Sequence, residues 1–155
     1  MRIDPEFEEL YRSQFEPVLK AVWALCGNRS VAEDATQEAF ARALERWRRL
    51  RGEPWAAGWV TTTALNAARR ALRRRDLRRA PAPAEPDLDE EVDLWRAVRA
   101  LPRRQQEAVV LRYVVDLPVD DVASVMRCEP GTVKAHLSRA REALRGRLEE
   151  ARDDR

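Results

Sequence analysis

Pro81, Pro83 and Pro86 crowd into the stretch 79–89, among alanines and acids. Proline fixes φ and carries no backbone donor, so this stretch belongs in neither a helix interior nor a sheet. It reads as an extended linker and as the domain boundary. The 155 residues then divide into two small units, 1–78 and 90–155, each with its own core.

Both units read as all-α. Apolar residues recur at three- and four-residue spacing, no alternating Val/Ile/Thr run occurs, and there are only five glycines. Asp4 before Pro5 starts a helix, with Pro at a position whose N–H would be unbonded anyway. Pro17 predicts a break near Phe15 and a second helix carrying Val18, Val22 and Leu25, ended by Gly27. Ser30 and Glu33 read as a capping box, opening a helix to about Leu50 with Ala35, Phe40, Ala43, Leu44 and Trp47 inward. After a loop at 50–54, a helix is expected from Trp55 to about Arg75, weakened at its start by Thr61–Thr63.

In the second unit, Trp95, Val98 and Leu101 mark a short helix, and Pro102 starts another through Tyr113. Val119–Met126, the turn Arg127–Glu129 and a helix from Pro130 to about Leu148 make a helix-turn-helix candidate. Val133, Leu137, Ala140 and Leu144 form its inward stripe.

The net charge of +2 conceals segregation by sign. Residues 1–45 carry nine acids against five bases, 46–80 eleven bases against two acids, 85–93 six acids and no base, and 127–147 six bases against two acids. Such blocks on helices suggest polyanion contacts at two separate places. On the last helix, Thr132, Lys134, Ala135, His136, Ser138 and Arg139 fall outward, where a helix in a major groove brings short polar and cationic groups to bases and phosphates. On the middle helix, Trp59, Thr62, Asn66, Arg70 and Arg73 share one face, with Trp55 and the Gly52 loop upstream. Rings that stack, an amide for base edges and guanidiniums for phosphates suit single-stranded nucleic acid, although a core role for Trp59 fits as well. Asp34, Gln37, Glu38, Ala41 and Glu45 form a polar stripe that composition alone assigns to solvent and that a protein partner could also use.

Other classes fit less well. Cys26 and Cys128 belong to no metal-ligand spacing and suit a reducing compartment. His136 is the one histidine, and no catalytic cluster, metal site, phosphate-cradling Gly loop or cofactor motif is present. No apolar run approaches the roughly 20 residues of a membrane span, and the N-terminus is unlike a signal peptide. The expectation is a cytoplasmic, non-enzymatic protein. A stand-alone helix-turn-helix regulator would use the second unit and leave the faces of the first without a role.

Four stretches in series carry a family resemblance. They are Glu33-Asp34-Ala35-Thr36-Gln37-Glu38-Ala39-Phe40; Trp59 with Asn66 and the arginines after it; Leu101-Pro102, Gln106-Glu107 and Leu111-Arg112-Tyr113; and Gly131-Thr132-Val133-Lys134 with Arg139-Ala140-Arg141. Across nearly all of residues 6–148 the chain resembles an extracytoplasmic-function sigma factor of bacterial RNA polymerase. The Arg51–Trp55 loop and Glu45-Arg46-Trp47 look most like actinobacterial members.

The resemblance implies two helical domains, called two and four in that family, joined by a linker threaded toward the polymerase cleft. It implies that Asp34, Gln37 and Glu38 dock on the β′ clamp helices of core polymerase. By the same likeness Arg51, Gly52 and Glu53 would capture a flipped base of the minus-10 strand. Trp55, Trp59 and Asn66 would stand behind that loop, and Arg69, Arg70, Arg73 and Arg74 would hold its backbone. The second domain would read minus-35 duplex while seated on the β-flap. The implied partners are core polymerase and promoter DNA, with an anti-sigma factor left open and a monomer expected when free. The chain departs from the family pattern at Arg127, where glycine is usual, at Glu129, where serine is commoner, and at Ala135-His136, where Ser-Arg is frequent.

Overall fold

A computed structural model of the chain describes residues 2–77 and 89–153. Among them every regular element is helical. The chain divides into two compact units, Met1–Ala84 and Glu85–Arg155. The expected linker lies outside the described residues, except for Asp89, which opens a helix.

The first unit is built from α1 (Pro5–Cys26), α2 (Arg29–Glu45), the single turn α3 (Trp47–Leu50) and α4 (Ala56–Leu77). The long helices pack pairwise against one another. Their seams are lined by alanines, with Ala32, Ala35, Ala39 and Ala43 on α2 facing Ala64, Ala67 and Ala68 on α4 as buried residues. Small side chains let helix axes approach closely, while Phe40, Val22 and Val60 fill the remaining space. Thr36 and Thr61 are buried at no polar cost, since each hydroxyl donates to a carbonyl one turn back, Ala32 at 2.7 Å and Ala57 at 2.8 Å. Thr63 does the same to the Trp59 carbonyl at 2.7 Å, and α4 runs on through the Thr61–Thr63 segment.

Three local expectations are corrected. Pro17 lies inside one continuous α1. It is exposed, and burial of Phe7, Val18, Leu19, Ala21 and Val22 on the same helix outweighs the lost backbone bond. The cap of α2 is Asn28 rather than Ser30. Gly27 turns left-handed at φ 70°, which leaves Asn28 extended with its side chain accepting from the Val31 N–H at 3.1 Å. Glu33 pairs instead with Arg29, at 2.9 Å. Finally, α2 stops at Glu45, Arg46 is a turn, and Leu44 is exposed rather than inward.

The second unit comprises α5 (Asp89–Arg99), α6 (Arg103–Val109), a π-helical turn (Val110–Val114), α7 (Val119–Met126) and α8 (Pro130–Asp153). Val133, Leu137 and Ala140 bury the first half of α8 against α5, α6 and α7. The π turn, closed by Val115 N–H to the Val110 carbonyl at 3.0 Å, was not expected. It departs from the regular helix through Tyr113 and leaves Tyr113 and Val114 exposed, while Val110 and Leu111 stay buried.

Candidate nucleic-acid interface

Two faces of the first unit carry the sequence-derived residues. Asp34, Gln37 and Glu38 are exposed along α2, as their spacing predicts. The Glu38 carboxylate lies 2.7 Å from Arg42 and 3.5 Å from Arg70 of α4. One residue of the acidic stripe and one of the basic face thus meet, and Glu38 does not stand as an isolated negative charge.

On α4, Trp59 and Asn66 are half-buried, and Arg73 and Arg74 are exposed. The Asn66 side-chain oxygen accepts from Arg69 at 3.1 Å, which sets the amide's orientation. The Arg46 guanidinium sits 5.9 Å from the Trp59 ring centroid, so this ring is a cation–π partner. Trp55, also half-buried, offers its carbonyl to the Trp59 N–H at 3.0 Å and so helps start α4.

The loop before α4 is held at several points. The Arg51 N–H bonds the Trp47 carbonyl at 2.8 Å, Glu53 N–H the Leu50 carbonyl at 3.1 Å, and Ala56 N–H the Glu53 carbonyl at 3.2 Å. Gly52 adopts φ 77° with open space where a Cβ would be. Glycine therefore serves the backbone there, and the loop surface is left clear.

Arg51 reaches back to the start of α1. Its Nε lies 3.3 Å from Glu6 Oε2 and 3.4 Å from Asp4 Oδ2. Asp4 also caps α1, accepting from the Glu6 N–H at 2.8 Å. That backbone bond above all, with the Arg51 charge adding to it, holds the Asp4 carboxyl below its ordinary range; Glu6 chiefly raises Arg51. A depressed carboxylate contributes stability above its ordinary pKa and loses it as pH falls through the folded value.

In the second unit Thr132, Lys134, Ala135, Ser138 and Arg139 are exposed on the first half of α8. His136 is the exception to the outward face. It is half-buried, with Nδ1 enclosed and without a hydrogen-bond partner among the described residues, so it is less available to bases than its neighbours. The turn before α8 is braced from α6. Glu107, 2% exposed, lies 2.9 Å from Arg104 and 3.2 Å from Arg103, and Arg104 also donates to the Met126 carbonyl at the end of α7. Gln106 donates to the Val98 carbonyl at 3.2 Å. These two motif residues act inside the fold.

Arg127 takes the left-handed conformation, φ 54° and ψ 49°, and both its N–H and that of Cys128 bond the Ala123 carbonyl. A non-glycine residue there costs about 1 kcal/mol. Arg127→Gly is expected to raise stability by about 0.5–1 kcal/mol, read as a higher melting temperature of the second unit.

Sequence reasoning missed Asp4, Glu6, Arg46 and Arg104 as supports of these faces. The Arg104–Glu107 spacing was readable as a helical pair. The other contacts join residues distant in the chain, and no local pattern announces them.

Among the described residues, no group of three or more His, Cys, Asp or Glu could hold a metal ion, and no helix is long and apolar enough to cross a membrane.

Residues 10–78 match Sigma-70 region 2, and residues 91–144 match Sigma-70, region 4. The RNA polymerase sigma-E factor of Streptomyces antibioticus is 29% identical, over 93% of this chain and 85% of its own length. The ECF RNA polymerase sigma factor SigE of Mycolicibacterium smegmatis is also 29% identical over 93% of this chain, which spans 62% of that protein. Among solved structures, the sigma factor RpoE of Bartonella quintana, crystallised with the anti-sigma factor NepR, aligns with a TM-score of 0.73 at 22% identity, covering 94% of this chain and 98% of its own.

Proposed function

Because the chain belongs to the sigma-70 family, as an extracytoplasmic-function member with regions 2 and 4, we propose that its two units divide promoter recognition between melted and duplex DNA. It is a dissociable specificity subunit of RNA polymerase. Core polymerase performs the chemistry, and this chain acts in the cytoplasm as a binding factor rather than an enzyme.

In this reading Asp34, Gln37 and Glu38 dock α2 on the β′ clamp helices. The 51–53 loop and the α4 face of Trp55, Trp59 and Asn66 hold unstacked minus-10 bases, and Arg69, Arg70, Arg73 and Arg74 line the path of the strand backbone. Stacking contributes about 1–3 kcal/mol per base, which offsets strand separation. On α8, Thr132, Lys134, Ala135, Ser138 and Arg139 enter the minus-35 major groove, with His136 at the rim. The observation that carries the proposal is the coexistence in one chain of a Trp–Asn–Arg helix face and a separate helix-turn-helix with exposed cations. A stand-alone helix-turn-helix regulator leaves the match over residues 10–78 without a role.

The test is transcription by core RNA polymerase on a random promoter library, with and without the chain. RNA chains starting at discrete positions only in its presence support the proposal; identical products in both reactions refute it. Within that assay, Trp59→Ala is expected to lower open-complex formation roughly tenfold and to spare the initial closed complex. Equal losses at both stages contradict strand holding.

A further inference from the structure

We propose that Arg51 is a positioning residue, whose guanidinium clamps the 51–53 loop onto the first turn of α1 through Asp4 and Glu6 and does not itself touch the DNA strand. The proposal rests on the reading of this loop as the minus-10 pocket and assigns a new role within it, with Asp4 and Glu6 as previously unassigned parts of the device.

Three observations carry it. The Arg51 side chain, although 57% exposed, reaches two carboxylates at 3.3 and 3.4 Å that lie 45 residues away or more in sequence. The same two surfaces are pinned by an independent contact, the Phe7 and Trp47 rings meeting edge to face at 5.4 Å, and Leu50 at the end of α3 is buried. Between these anchors the loop turns at Gly52, φ 77°, where nothing encloses it. The turn is closed by its own backbone bond, Glu53 N–H to the Leu50 carbonyl, and the Arg51 side chain ties it to α1.

Charge leads to the same conclusion. With two carboxylates beside it, the Arg51 guanidinium attracts a phosphate less than the exposed Arg48 and Arg49 of α3 do. The depressed Asp4 and raised Arg51 titrations agree with a mutual ion pair. Backbone groups of the loop and Glu53 are left to face an unstacked base, so the N-terminal turn of α1 governs how well that pocket is formed.

The experiment uses holoenzyme reconstituted with the full chain, on a promoter taken from the library selection, and measures open-complex formation from low to high salt. Three variants are compared: Arg51→Gln, the pair Asp4→Asn with Glu6→Gln, and all three together. Asparagine preserves the cap of α1 while removing its charge. Positioning predicts that each of the first two variants loses about threefold and that their combination loses no more. It also predicts an unchanged salt dependence and unchanged core binding, and recovery of activity by the swapped pair Glu6→Arg with Arg51→Glu.

A direct phosphate contact predicts the opposite. Arg51→Gln would flatten the log–log salt dependence by about 0.7 per lost contact, and neutralising the two acids would strengthen DNA binding; either result overturns the proposal. A wild-type holoenzyme that starts no RNA refutes the functional reading itself. An active wild type with a flattened slope in Arg51→Gln refutes only the clamp.

Discussion

Asp34→Arg combined with Gln37→Ala is expected to abolish co-purification with core RNA polymerase and to leave helicity and melting temperature unchanged. Both side chains are exposed on α2, and neither makes a side-chain hydrogen bond or ion pair among the described residues. Surface changes of this kind usually move stability by no more than about 0.5 kcal/mol. At an interface the same positions act differently. A reversed charge facing a fixed partner costs several kcal/mol, and a truncated central contact adds more, so affinity should fall on the order of a hundredfold or beyond. Glu38 is the poorer choice for this test. Its carboxylate also holds Arg42 and Arg70, and a change there would disturb the strand-facing helix along with the docking face. Unchanged association of the Asp34/Gln37 variant would remove α2 from the polymerase interface.

That choice of residues depends on what a sequence can and cannot reveal. Exposure along α2 and α8 was largely legible because helical period decides which side chains point outward once the buried stripe is identified. On α4, by contrast, Trp59, Thr62, Asn66 and Arg70 of the expected face are half-buried and Arg73 is exposed. Pro118 and Pro130 marked helix starts correctly, since a missing donor costs nothing at a position that has no acceptor. Pro17 misled for the same local reason: the cost of an interior proline is real, but the apolar face that runs through it is longer than one turn. Ser30 read as the cap of α2 from its spacing to Glu33, and the left-handed Gly27 instead sets Asn28 in the capping position. The pairings that shape the candidate site were not legible at all. Glu38 with Arg70, Arg51 with Glu6 and Arg46 with Trp59 depend on how α1, α2 and α4 pack, and exposed charges carry no sign in their order of which partner they will meet. His136 shows the limit from the other side. Its register placed it outward with Ala135, yet it is half-buried with Nδ1 enclosed.

Phe40→Ala should produce the largest loss of stability in the first unit, about 3 kcal/mol or more. The ring is 2% exposed and closes the seam between α1 and α2, with the Tyr11 ring at 5.0 Å and the Phe15 ring at 5.7 Å. Tyr11 is itself exposed and can lean partway into the space, which keeps the cost toward the lower end of the range for a buried phenylalanine. For a unit of this size each kcal/mol moves the melting temperature by roughly 4–8 °C, so a fall of roughly 12–25 °C is expected. Tryptophan fluorescence reads it directly, because Trp23, Trp47, Trp55 and Trp59 all lie in the first unit and only Trp95 in the second. Amide exchange at Val133 and Leu137 of α8 serves as the internal control and should keep its protection. The Phe40 and Asp34/Gln37 variants then separate two causes of one defect. Both lose polymerase association, the first because α2 no longer has a stable platform and the second because an intact α2 presents the wrong charge. A melting temperature lowered by less than about 3 °C in Phe40→Ala would mean that the aromatic seam does not hold α2 in place, and the docking face would need another support.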